Sequence, residues 1–448
     1  MNRILIHHLK QHIDASVCIE GWVSTRRDQG KLIFFDIRDR TGTVQTVVLP
    51  GSTALESARQ VRTESIVRLE GIVHLRPEKN RNPDAQYGDI EVEVTELTIL
   101  AKPIDVPFEL NADLNIDTYL DHLPFTLRSE KARGIFSLQA TIIESFREAL
   151  RKEGFTEFQA PALVGADAEG GAAAFPVEYY YDRKAFLATS PQFYKQIMVG
   201  VFERAFTTPH VFRGEKHATT RHLSEYASMD FEMGFIHDHH DVMHMLETCM
   251  QHIVAMVTAH HADTFTLCNA DLPLLPETIP VVSLSEAQDI LAQQYSIDAR
   301  GEPDLEPEHE RLLCQWSKET HRSDFLFVTH YPVSKRPFYT YEDEARPGYT
   351  KSFDLLFRGL EITTGGQRVH DYDTLIAKIR EKRLNPDLFS FYLQAFKTGM
   401  PPHGGCATGL ERITARMLNL PNVKEATLFP RDLNRIDIRL SEQESDEA

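Results

Sequence analysis

Strict alternation of apolar and polar residues marks one stretch near the middle of the chain. Every odd position of residues 227–235 is apolar, and the even positions include Asp230 and Glu232, which is the period of a β-strand. A shorter run before it puts Arg213 and Glu215 on one face, and a loop rich in Lys, Arg and His joins the two runs. The pattern predicts a hairpin with a charged face suited to a triphosphate and a small charged substrate. An exposed strand pair carrying a ladder of ion pairs is the alternative.

Short strand-like runs separated by turn signals fill the first hundred residues. The runs are residues 16–27, 31–39, 43–50, 64–76 and 89–100. A helical stretch at residues 52–62 lies between the third run and the fourth. Five strands with a helix in that gap predict a small OB-type barrel, a fold that often binds single-stranded nucleic acid.

Basic and aromatic side chains gather on this predicted barrel. The basic ones are Arg26, Arg27, Arg38 and Arg40. Phe34 and Phe35 are neighbours on the second strand, so one of them must belong to the core, and either could offer a platform for a base. Stacking of a base on an aromatic ring is worth roughly 1–3 kcal/mol.

Helical periodicity begins after a segment punctuated by prolines. Residues 103–128 show no clear period and predict a hinge, whereas residues 133–153 carry an apolar stripe typical of an amphipathic helix. A second, histidine-rich helix is predicted at residues 237–261. Its His240 and His244 are four residues apart and could share a metal, but an apolar stripe on the same helix favours packing in a core.

Length and composition predict the number of domains and argue against several classes of protein. A chain of 448 residues predicts two or three domains, and a net charge of −18 argues against a broad basic surface for nucleic acid. No apolar run is long enough to span a membrane, and residues 1–14 lack an apolar signal core. Five scattered cysteines without CxxC spacing fit a reducing cytoplasm and argue against a structural zinc.

Four further segments carry candidate chemistry. Residues 165–175 form a loop of small residues that could close over a site, although a surface loop fits equally well. Residues 189–196, TSPQFYKQ, predict a helix start. Residues 351–368 combine two carboxylates, natural Mg²⁺ ligands, with a Gly-Gly turn, and residues 403–420 predict a Gly-rich turn that opens a helix.

Several of these segments resemble class II aminoacyl-tRNA synthetases, most closely aspartyl-tRNA synthetases of the archaeal and eukaryotic type. FRGEKHATTRHLSEYASMDFEMGF resembles motif 2 of that class, and HGGCATGLERITARMLNL resembles motif 3. The helix at residues 133–153, followed by a strand that ends at Pro161, resembles motif 1, the dimer interface. The first hundred residues resemble the anticodon-binding domain of aspartyl- and asparaginyl-tRNA synthetases.

The resemblance implies an α+β fold and a defined activity. The expected parts are an OB-fold barrel at residues 1–102, the hinge at 103–128, a catalytic domain at 129–440 built on an antiparallel sheet flanked by helices, and a disordered acidic tail at 441–448. The expected enzyme is a cytoplasmic homodimer that joins L-aspartate to ATP, with Mg²⁺, and transfers the aspartyl group to tRNA(Asp). Whether tRNA(Asn) is charged as well is left open.

The resemblance also implies roles for individual residues. ATP is expected to contact Arg213, Glu215, Arg221, His222, Tyr226, Glu361 and Arg412, with Arg213 and Arg412 catalytic. Aspartate is expected to contact Glu169, Gln192, Lys195, Asp230 and Arg368. The anticodon is expected to contact Arg26, Phe34, Phe35 and Gln45. Mg²⁺ is expected at Asp354, Glu361 and Thr364.

The chain departs from the family pattern at one position, and three alternative functions are considered. Ala407 stands where relatives usually carry glycine, and its methyl group could crowd the nucleotide. An asparaginyl-tRNA synthetase is disfavoured by Pro191, Lys195 and Asp230, and an amide-forming paralogue would lack the barrel. A non-catalytic tRNA-binding protein would tolerate loss of the arginines and of the carboxylate at the predicted ATP site, which are all present.

Overall fold

The computed structural model describes residues 1–83, 85–165, 174–216 and 219–440. The chain divides into two compact units, Met1–Ala112 and Asp113–Ala448. Two predicted features, the loop residue Glu169 and the acidic tail, lie outside the described residues. Among the helices of the described residues, none is both long and apolar enough to cross a lipid bilayer.

The first unit is the predicted five-stranded barrel. Its strands are β1 (Ser16–Asp28), β2 (Ile33–Asp39), β3 (Gly42–Val48), β4 (Ile66–Leu75) and β5 (Ile90–Ala101). They close in the order β1-β2-β3-β5-β4, with β3 and β5 parallel and the other neighbours antiparallel. Helix α1 (Leu55–Arg59) lies between β3 and β4, where the sequence predicts a helix. The OB-type barrel is therefore confirmed.

The second unit opens with helices that cover one side of its sheet. The predicted hinge contains two short helices, α2 (Ile116–Asp121) and α3 (Leu123–Thr126). The sequence did not predict them, because residues 103–128 show no clear hydrophobic period. Helix α4 (Glu130–Lys152) follows, and the side chain of Ser129 accepts a hydrogen bond from Ala132 N at its start. The predicted apolar stripe of α4 is buried in the core of this unit.

The remaining elements of the second unit alternate between strands and helices. The strands are β6 (Thr156–Glu157), β7 (Leu163–Val164), β8 (Pro176–Tyr179), β9 (Arg183–Leu187), β10 (Arg204–Thr207), β11 (His210–Phe212), β12 (Glu225–Gly234), β13 (Val281–Ser283), β14 (Phe325–Thr329), β15 (Ser352–Phe357), β16 (Leu360–Arg368) and β17 (His403–Gly409). The helices are α5 (Gln192–Phe202), α6 (His239–His260), α7 (Ala262–Leu267), α8 (Leu284–Tyr295), α9 (Pro307–His321), α10 (Tyr372–Glu381), α11 (Ser390–Lys397) and α12 (Leu410–Met417).

The main sheet runs β13-β14-β15-β16-β17-β12-β10-β6, with β11 paired to β12. Its central pairs are antiparallel, as expected, but the pairs at its two ends, β13 with β14 and β10 with β6, are parallel. The sheet is therefore mixed rather than wholly antiparallel. Helices α4 and α6 pack together over it around a shared apolar core.

Two segments predicted as Gly-rich turns are strands. Gly365 and Gly366 lie inside β16, and residues 403–409 form β17 beside it. A Cβ at Gly365 would lie 2.4 Å from the Phe353 ring and 2.7 Å from Cys406 Cβ, so close packing rather than a turn requires glycine here. The reverse turn before β16 is at Arg358 and Gly359, both with positive φ.

Candidate functional site

Two cavities adjoin on strands β12, β16 and β17 of the main sheet. One is lined by residues expected to bind ATP, is called the nucleotide cavity for that reason, and measures about 120 Å³. The other is lined by residues expected to bind aspartate, is called the amino-acid cavity, and measures about 620 Å³. Both are lined by Arg213, Tyr226, Ser228, Glu361, Thr364 and Ala407. The nucleotide cavity is lined in addition by Glu215, Arg221, His222 and Arg412, and the amino-acid cavity by Gln192, Lys195 and Arg368. All seven residues expected to bind ATP, and three of the five expected to bind aspartate, therefore surround neighbouring spaces that share a wall.

Lys195 reaches the amino-acid cavity from the first turns of α5. Its side chain is almost fully buried, and its Nζ lies 2.9 Å from the Asp230 carboxylate and 3.4 Å from that of Glu232. It also donates a hydrogen bond to the Cys406 carbonyl at 3.0 Å. A buried ammonium group requires such partners, because an unpaired buried charge is strongly destabilising.

Asp230, expected to contact aspartate, is fully buried and is not among the residues that line the two cavities. Its contact with the substrate stays a prediction. Lys195 and the hydroxyl of Ser228 hold the Asp230 carboxylate beneath the cavity wall. The need to neutralise Lys195 explains this position.

Arg368 lies at the end of β16 and is anchored by a carboxylate that the sequence did not assign to the site. Its Nε and Nη2 donate to the two oxygens of Glu232 at 2.8 and 3.3 Å, and Nη2 also donates to the Gly405 carbonyl at 2.8 Å. Burial alone would raise the pKa of Glu232, but the charges of Arg368 and Lys195 hold that pKa below its ordinary value. Glu232 is therefore an ionised partner that fixes both cations.

The amino-acid cavity is strongly cationic. Its charged lining side chains are Lys195, Arg213, Lys335, Arg336, Arg368 and Lys382 on the positive side and Glu361 on the negative side. Three of these cations, at positions 335, 336 and 382, come from segments that sequence analysis did not assign to the site. The only indication of the first two in the sequence is that they form a pair of basic residues in the segment SKRPFY. Such a lining favours a substrate that carries more than one negative group.

A chain of buried hydrogen bonds positions Gln192 at the wall of this cavity. Gln192 donates to Gln196 Oε1 at 3.0 Å, and the Tyr392 hydroxyl donates to the same oxygen at 3.1 Å. Gln196 in turn donates to His403 Nε2 at 2.9 Å, while His403 Nδ1 donates to the Pro401 carbonyl. Burial lowers the pKa of His403 to about 4, which agrees with a neutral ring that accepts one hydrogen bond and donates another.

The nucleotide cavity has cationic and aromatic groups at its wall. The guanidinium of Arg213 lies 5.6 Å from the centroid of the Tyr226 ring, and Arg412 Nη1 donates to the Glu361 carbonyl at 3.1 Å. Tyr226 and Arg412 line the same cavity, as stacking on the two faces of one base requires.

Ala407 lies on the wall that the two cavities share. In the sheet it is paired with Asp230 on one side and with Thr364 on the other. The position that departs from the family pattern is thus a strand residue between the two cavities.

Glu310 is a residue of the nucleotide site that sequence analysis missed. It lies in the first turn of α9, a region without a recognisable motif, and its carboxylate accepts hydrogen bonds from Arg221 and from Glu361 N. It therefore holds one expected ATP-binding residue and the backbone of another. Burial raises the pKa of Glu310 to about 7 despite the nearby charge of Arg221.

Replacing Glu310 by Gln is expected to flatten the pH dependence of stability. The folded protein keeps this proton up to about pH 7, whereas an ordinary carboxyl releases it near 4.5. Stability therefore falls as the pH rises through that window, by on the order of 3 kcal/mol from this group. Thermal midpoints measured from pH 5 to pH 8 should fall less steeply in the variant.

Glu308→Gln is the matched control, because Glu308 lies on the same helix, is exposed and pairs with Arg311 three residues on. It should keep the slope of the unchanged protein. An equal slope in Glu310→Gln and in the unchanged protein would refute the assignment.

Glu361 and Thr364, two of the residues expected to hold Mg²⁺, lie side by side. The Thr364 hydroxyl donates to Glu361 Oε1 at 2.7 Å, and both residues line the wall shared by the two cavities. A carboxylate and a hydroxyl oxygen so close together can serve one hard cation.

Asp354 is paired with Thr364 on the neighbouring strand. Its carboxylate is buried and lies 2.8 Å from Arg336 Nη2, an ion pair that holds Arg336 at the wall of the amino-acid cavity. Burial raises the pKa of Asp354 to about 6. The expected metal-ligand role of Asp354 stays a prediction.

Phe34 and Phe35 lie on opposite faces of strand β2 in the barrel. Phe35 is fully buried in the barrel core, so the expectation that it contacts a base is wrong. Its neighbour Phe34 is only partly buried, because successive side chains of a strand point to opposite faces. Arg38 is also buried and packs over the Trp22 ring, so it is not part of a basic surface.

A polar network lies on the strands beside Phe34. Arg27 is paired across the sheet with Phe34 and donates to both oxygens of Asp36 and to Gln45 Oε1. Gln45 donates to Glu91 at 3.0 Å. Arg26, one of the expected anticodon contacts, pairs with Asp28 at 2.8 Å, and Arg27 is the cation next to the partly buried Phe34 ring.

Family models match both units of the chain. Residues 115–433 match "tRNA synthetases class II (D, K and N)", and residues 17–100 match "OB-fold nucleic acid binding domain". Among curated proteins, the aspartate–tRNA(Asp/Asn) ligase of Thermus thermophilus is 44% identical over 439 residues, which cover 97% of this chain and 99% of that protein. The aspartate–tRNA(Asp) ligase of Thermococcus kodakarensis is 38% identical, covering 94% of this chain and 95% of the relative.

Solved structures show the same architecture. An asparaginyl-tRNA synthetase from Pyrococcus horikoshii complexed with asparaginyl-adenylate matches with a TM-score of 0.89 and 31% identity, covering 97% of this chain and 99% of that one. A putative aspartyl-tRNA synthetase from Leishmania major matches with a TM-score of 0.88 and 29% identity, covering 97% of this chain and 94% of that one.

Proposed function

The chain belongs to the class II (D, K and N) tRNA synthetases, and from this membership we propose that it is an aspartate–tRNA ligase. It joins L-aspartate to ATP, forming aspartyl-adenylate and pyrophosphate, and then transfers the aspartyl group to the 3′ end of a tRNA. The observation that carries the proposal is the shared wall of the two cavities, where Arg213 lines both. A phosphate in one cavity and a carboxylate in the other would meet there.

The first reaction needs no nucleophile from the protein. The α-carboxylate of aspartate attacks the α-phosphate of ATP and displaces pyrophosphate, and Arg213 at the shared wall neutralises the charge that develops there. Tyr226 and Arg412 hold the base, and Arg221 and His222 approach the outer phosphates. Positioning and fixed charges supply the catalysis, since donors held in place need no reorganisation during the reaction.

Glu361 and Thr364 would hold the Mg²⁺ that accompanies ATP. When bound, the ion would supply positive charge that stabilises the phosphates of ATP. The contribution of the chain is to fix these two oxygens 2.7 Å apart at the shared wall, with Arg412 held against the Glu361 backbone.

Aspartate rather than asparagine is the proposed substrate. Both Lys195 and Arg368 line the amino-acid cavity, and Asp230 and Glu232 behind them fix their positions. A substrate carboxylate would accept hydrogen bonds from both cations, whereas the side-chain amide of asparagine has only one acceptor oxygen and would turn its NH₂ donors toward a cation that is itself a donor. Asparaginyl-tRNA synthetase is the second candidate, because such an enzyme shares the fold at a TM-score of 0.89.

Amino-acid-dependent ATP–pyrophosphate exchange separates these candidates. Aspartate should support exchange, and asparagine should not. Exchange with asparagine alone would establish the second candidate, and exchange with neither would contradict an activating enzyme.

We propose that both tRNA(Asp) and tRNA(Asn) accept the aspartyl group. Relatives that are 40–44% identical are named aspartate–tRNA(Asp/Asn) ligases, whereas those at 36–38% are named for tRNA(Asp). Charging of each purified tRNA with labelled aspartate tests this point, and charging of tRNA(Asp) alone would contradict it.

Replacing Phe34 by Ala is expected to weaken tRNA charging and leave ATP–pyrophosphate exchange unchanged. The proposed anticodon platform is the partly buried ring of Phe34 on the outer face of the barrel, with Arg27 and Gln45 beside it. Loss of one stacked base costs roughly 1–3 kcal/mol, so kcat/KM for tRNA should fall about 5- to 150-fold. Charging and exchange should be measured on the same preparation.

Leu75→Ala is the matched control, because Leu75 is an exposed apolar residue of the same barrel on a strand that does not pair with β2. It should leave both assays unchanged. Equal losses of charging and exchange in Phe34→Ala would contradict an anticodon role.

We also propose a homodimer and a cytoplasmic location. The support for the dimer is the resemblance of α4 and the strand after it to motif 1. Since the apolar stripe of α4 is buried in its own chain, a partner would contact other faces of this segment. Light scattering should give twice the 51.2 kDa of one chain. The support for the cytoplasm is that the cysteines are unbridged.

A further inference from the structure

Three potential metal ligands lie together at the start of helix α6, away from both cavities. Asp238, His239 and His240 each place a ligand atom within 4.8 Å of the others, and none of them lines the nucleotide or the amino-acid cavity. Asp238 caps the helix: its Oδ1 accepts a hydrogen bond from His240 N at 2.8 Å and lies 3.1 Å from His240 Nδ1. The capping interaction thus brings a carboxylate and an imidazole together.

His239 provides the second, independent observation. Its side chain is only 2% exposed, and within the described part of the chain neither of its ring nitrogens has a hydrogen-bond partner. Buried polar groups without partners are rare in folded proteins because they lose their water without a replacement. A metal ion is a partner that the lone pair of an imidazole nitrogen can bind.

The surroundings define which residues can serve as ligands. The His239 ring lies 4.2 Å from that of His240 and 5.2 Å from that of His330, measured between centroids. His330 Nδ1 is bonded to the Thr329 hydroxyl, and its Nε2 lies 3.5 Å from Asp343, so His330 forms a wall of the site. The charge of Lys351 also reaches His239, and the Asp238 carboxylate opposes it.

We propose that Asp238, His239 and His240 bind a divalent transition-metal ion such as Zn²⁺. Two imidazoles and one carboxylate suit Zn²⁺, Co²⁺ or Ni²⁺, whereas Mg²⁺ prefers oxygen ligands. Bond lengths of about 2.0–2.2 Å require the three ligand atoms to approach one another further. The half-exposed side chains of Asp238 and His240 can turn to do so, while burial fixes His239. The ion would stabilise the first turn of α6 and takes no part in the proposed ligase reaction.

Equilibrium binding to the full-length protein tests the site. After removal of metals with a chelator, Zn²⁺ binding is measured by calorimetry, and Co²⁺ is used for its visible absorption spectrum. One ion per chain should bind, and Zn²⁺ should raise the thermal midpoint. His240→Gln should weaken binding by more than about tenfold, because even the loss of an outer partner of a metal ligand costs about 10- to 100-fold in affinity.

The matched control replaces two exposed histidines that flank the group, His237 and His244, by Gln. This variant should bind Zn²⁺ as the unchanged protein does. His239→Gln removes the buried ligand and should abolish the Co²⁺ spectrum, with His240→Gln as the second variant if it does not fold. An equal loss of affinity in the control, or no Zn²⁺ binding at micromolar concentration, would overturn the proposal.

Discussion

Replacing Lys195 by Met is expected to reduce aspartate-dependent ATP–pyrophosphate exchange by about a thousandfold or more, since a site built for a specific polar group rejects an unmatched partner by such factors. The buried ammonium of Lys195 lines the amino-acid cavity, with Asp230 and Glu232 behind it. Without it, the substrate carboxylate loses one of its two proposed partners and approaches two buried carboxylates. ATP binding should stay close to that of the unchanged protein. Initial exchange rates across a range of aspartate concentrations measure the effect.

Stability must be separated from substrate binding in this variant. Removing one partner of a buried ion pair costs about 3–5 kcal/mol, so the thermal midpoint should fall. The double variant Lys195→Met with Asp230→Asn removes one negative charge as well and should recover part of the stability without recovering exchange.

A second comparison uses a cation of the same cavity. Lys335 also lines it, but its side chain is 43% exposed and pairs with Asp304, so Lys335→Met should have a much smaller effect on exchange. An unchanged KM for aspartate in Lys195→Met would refute the proposal that Lys195 binds the substrate carboxylate.

Replacing Arg213 by Ala is expected to lower kcat for exchange by about 10²–10³-fold, the usual effect of removing one fixed donor from a developing negative charge. Arg213 lines both cavities, so its charge is placed where the bond between carboxylate and α-phosphate would form. The loss should appear mainly in kcat, because an interaction that strengthens in the transition state contributes little to substrate binding. Full kinetics with ATP and aspartate varied separately are the measurement.

Arg221→Ala is the comparison for Arg213. Arg221 lines only the nucleotide cavity and is held by Glu310, so its removal should raise KM for ATP more than it lowers kcat. The opposite pattern in the two variants would contradict the proposed position of the α-phosphate. Both proteins should keep the secondary structure of the unchanged chain, as checked by circular dichroism.

Local patterns were enough to predict most of the elements. The five barrel strands and the helix between the third and the fourth appear where period-two alternation and turn signals put them, because alternation reflects one buried face of a strand. The helix that became α4 was predicted to within three residues at its start. The glycines of β16 and β17 were wrongly predicted to form turns, because the sequence does not distinguish glycine required by a turn from glycine required by close packing.

The sequence also could not decide which of two adjacent or similar side chains has a given role. The side chain that faces the core, Phe35 rather than Phe34, depends on the register of the barrel. Asp230 and Asp354 both have the chemistry of a ligand, and only the structure shows that they pair with Lys195 and Arg336. Glu310 has no motif around it and reaches the nucleotide site only because α9 packs there.

The amino-acid sequence by itself determined the barrel, the class of catalytic domain and the motif residues of the site, because these follow from periodicity and from short motifs. Only the tertiary structure decided which charges meet. Lys195 and Glu232, or Arg221 and Glu310, are far apart along the chain, and their pairing depends on how β12, β16, α5 and α9 pack. Burial then decides the state of each group, since a charge removed from water needs a partner at hydrogen-bonding distance.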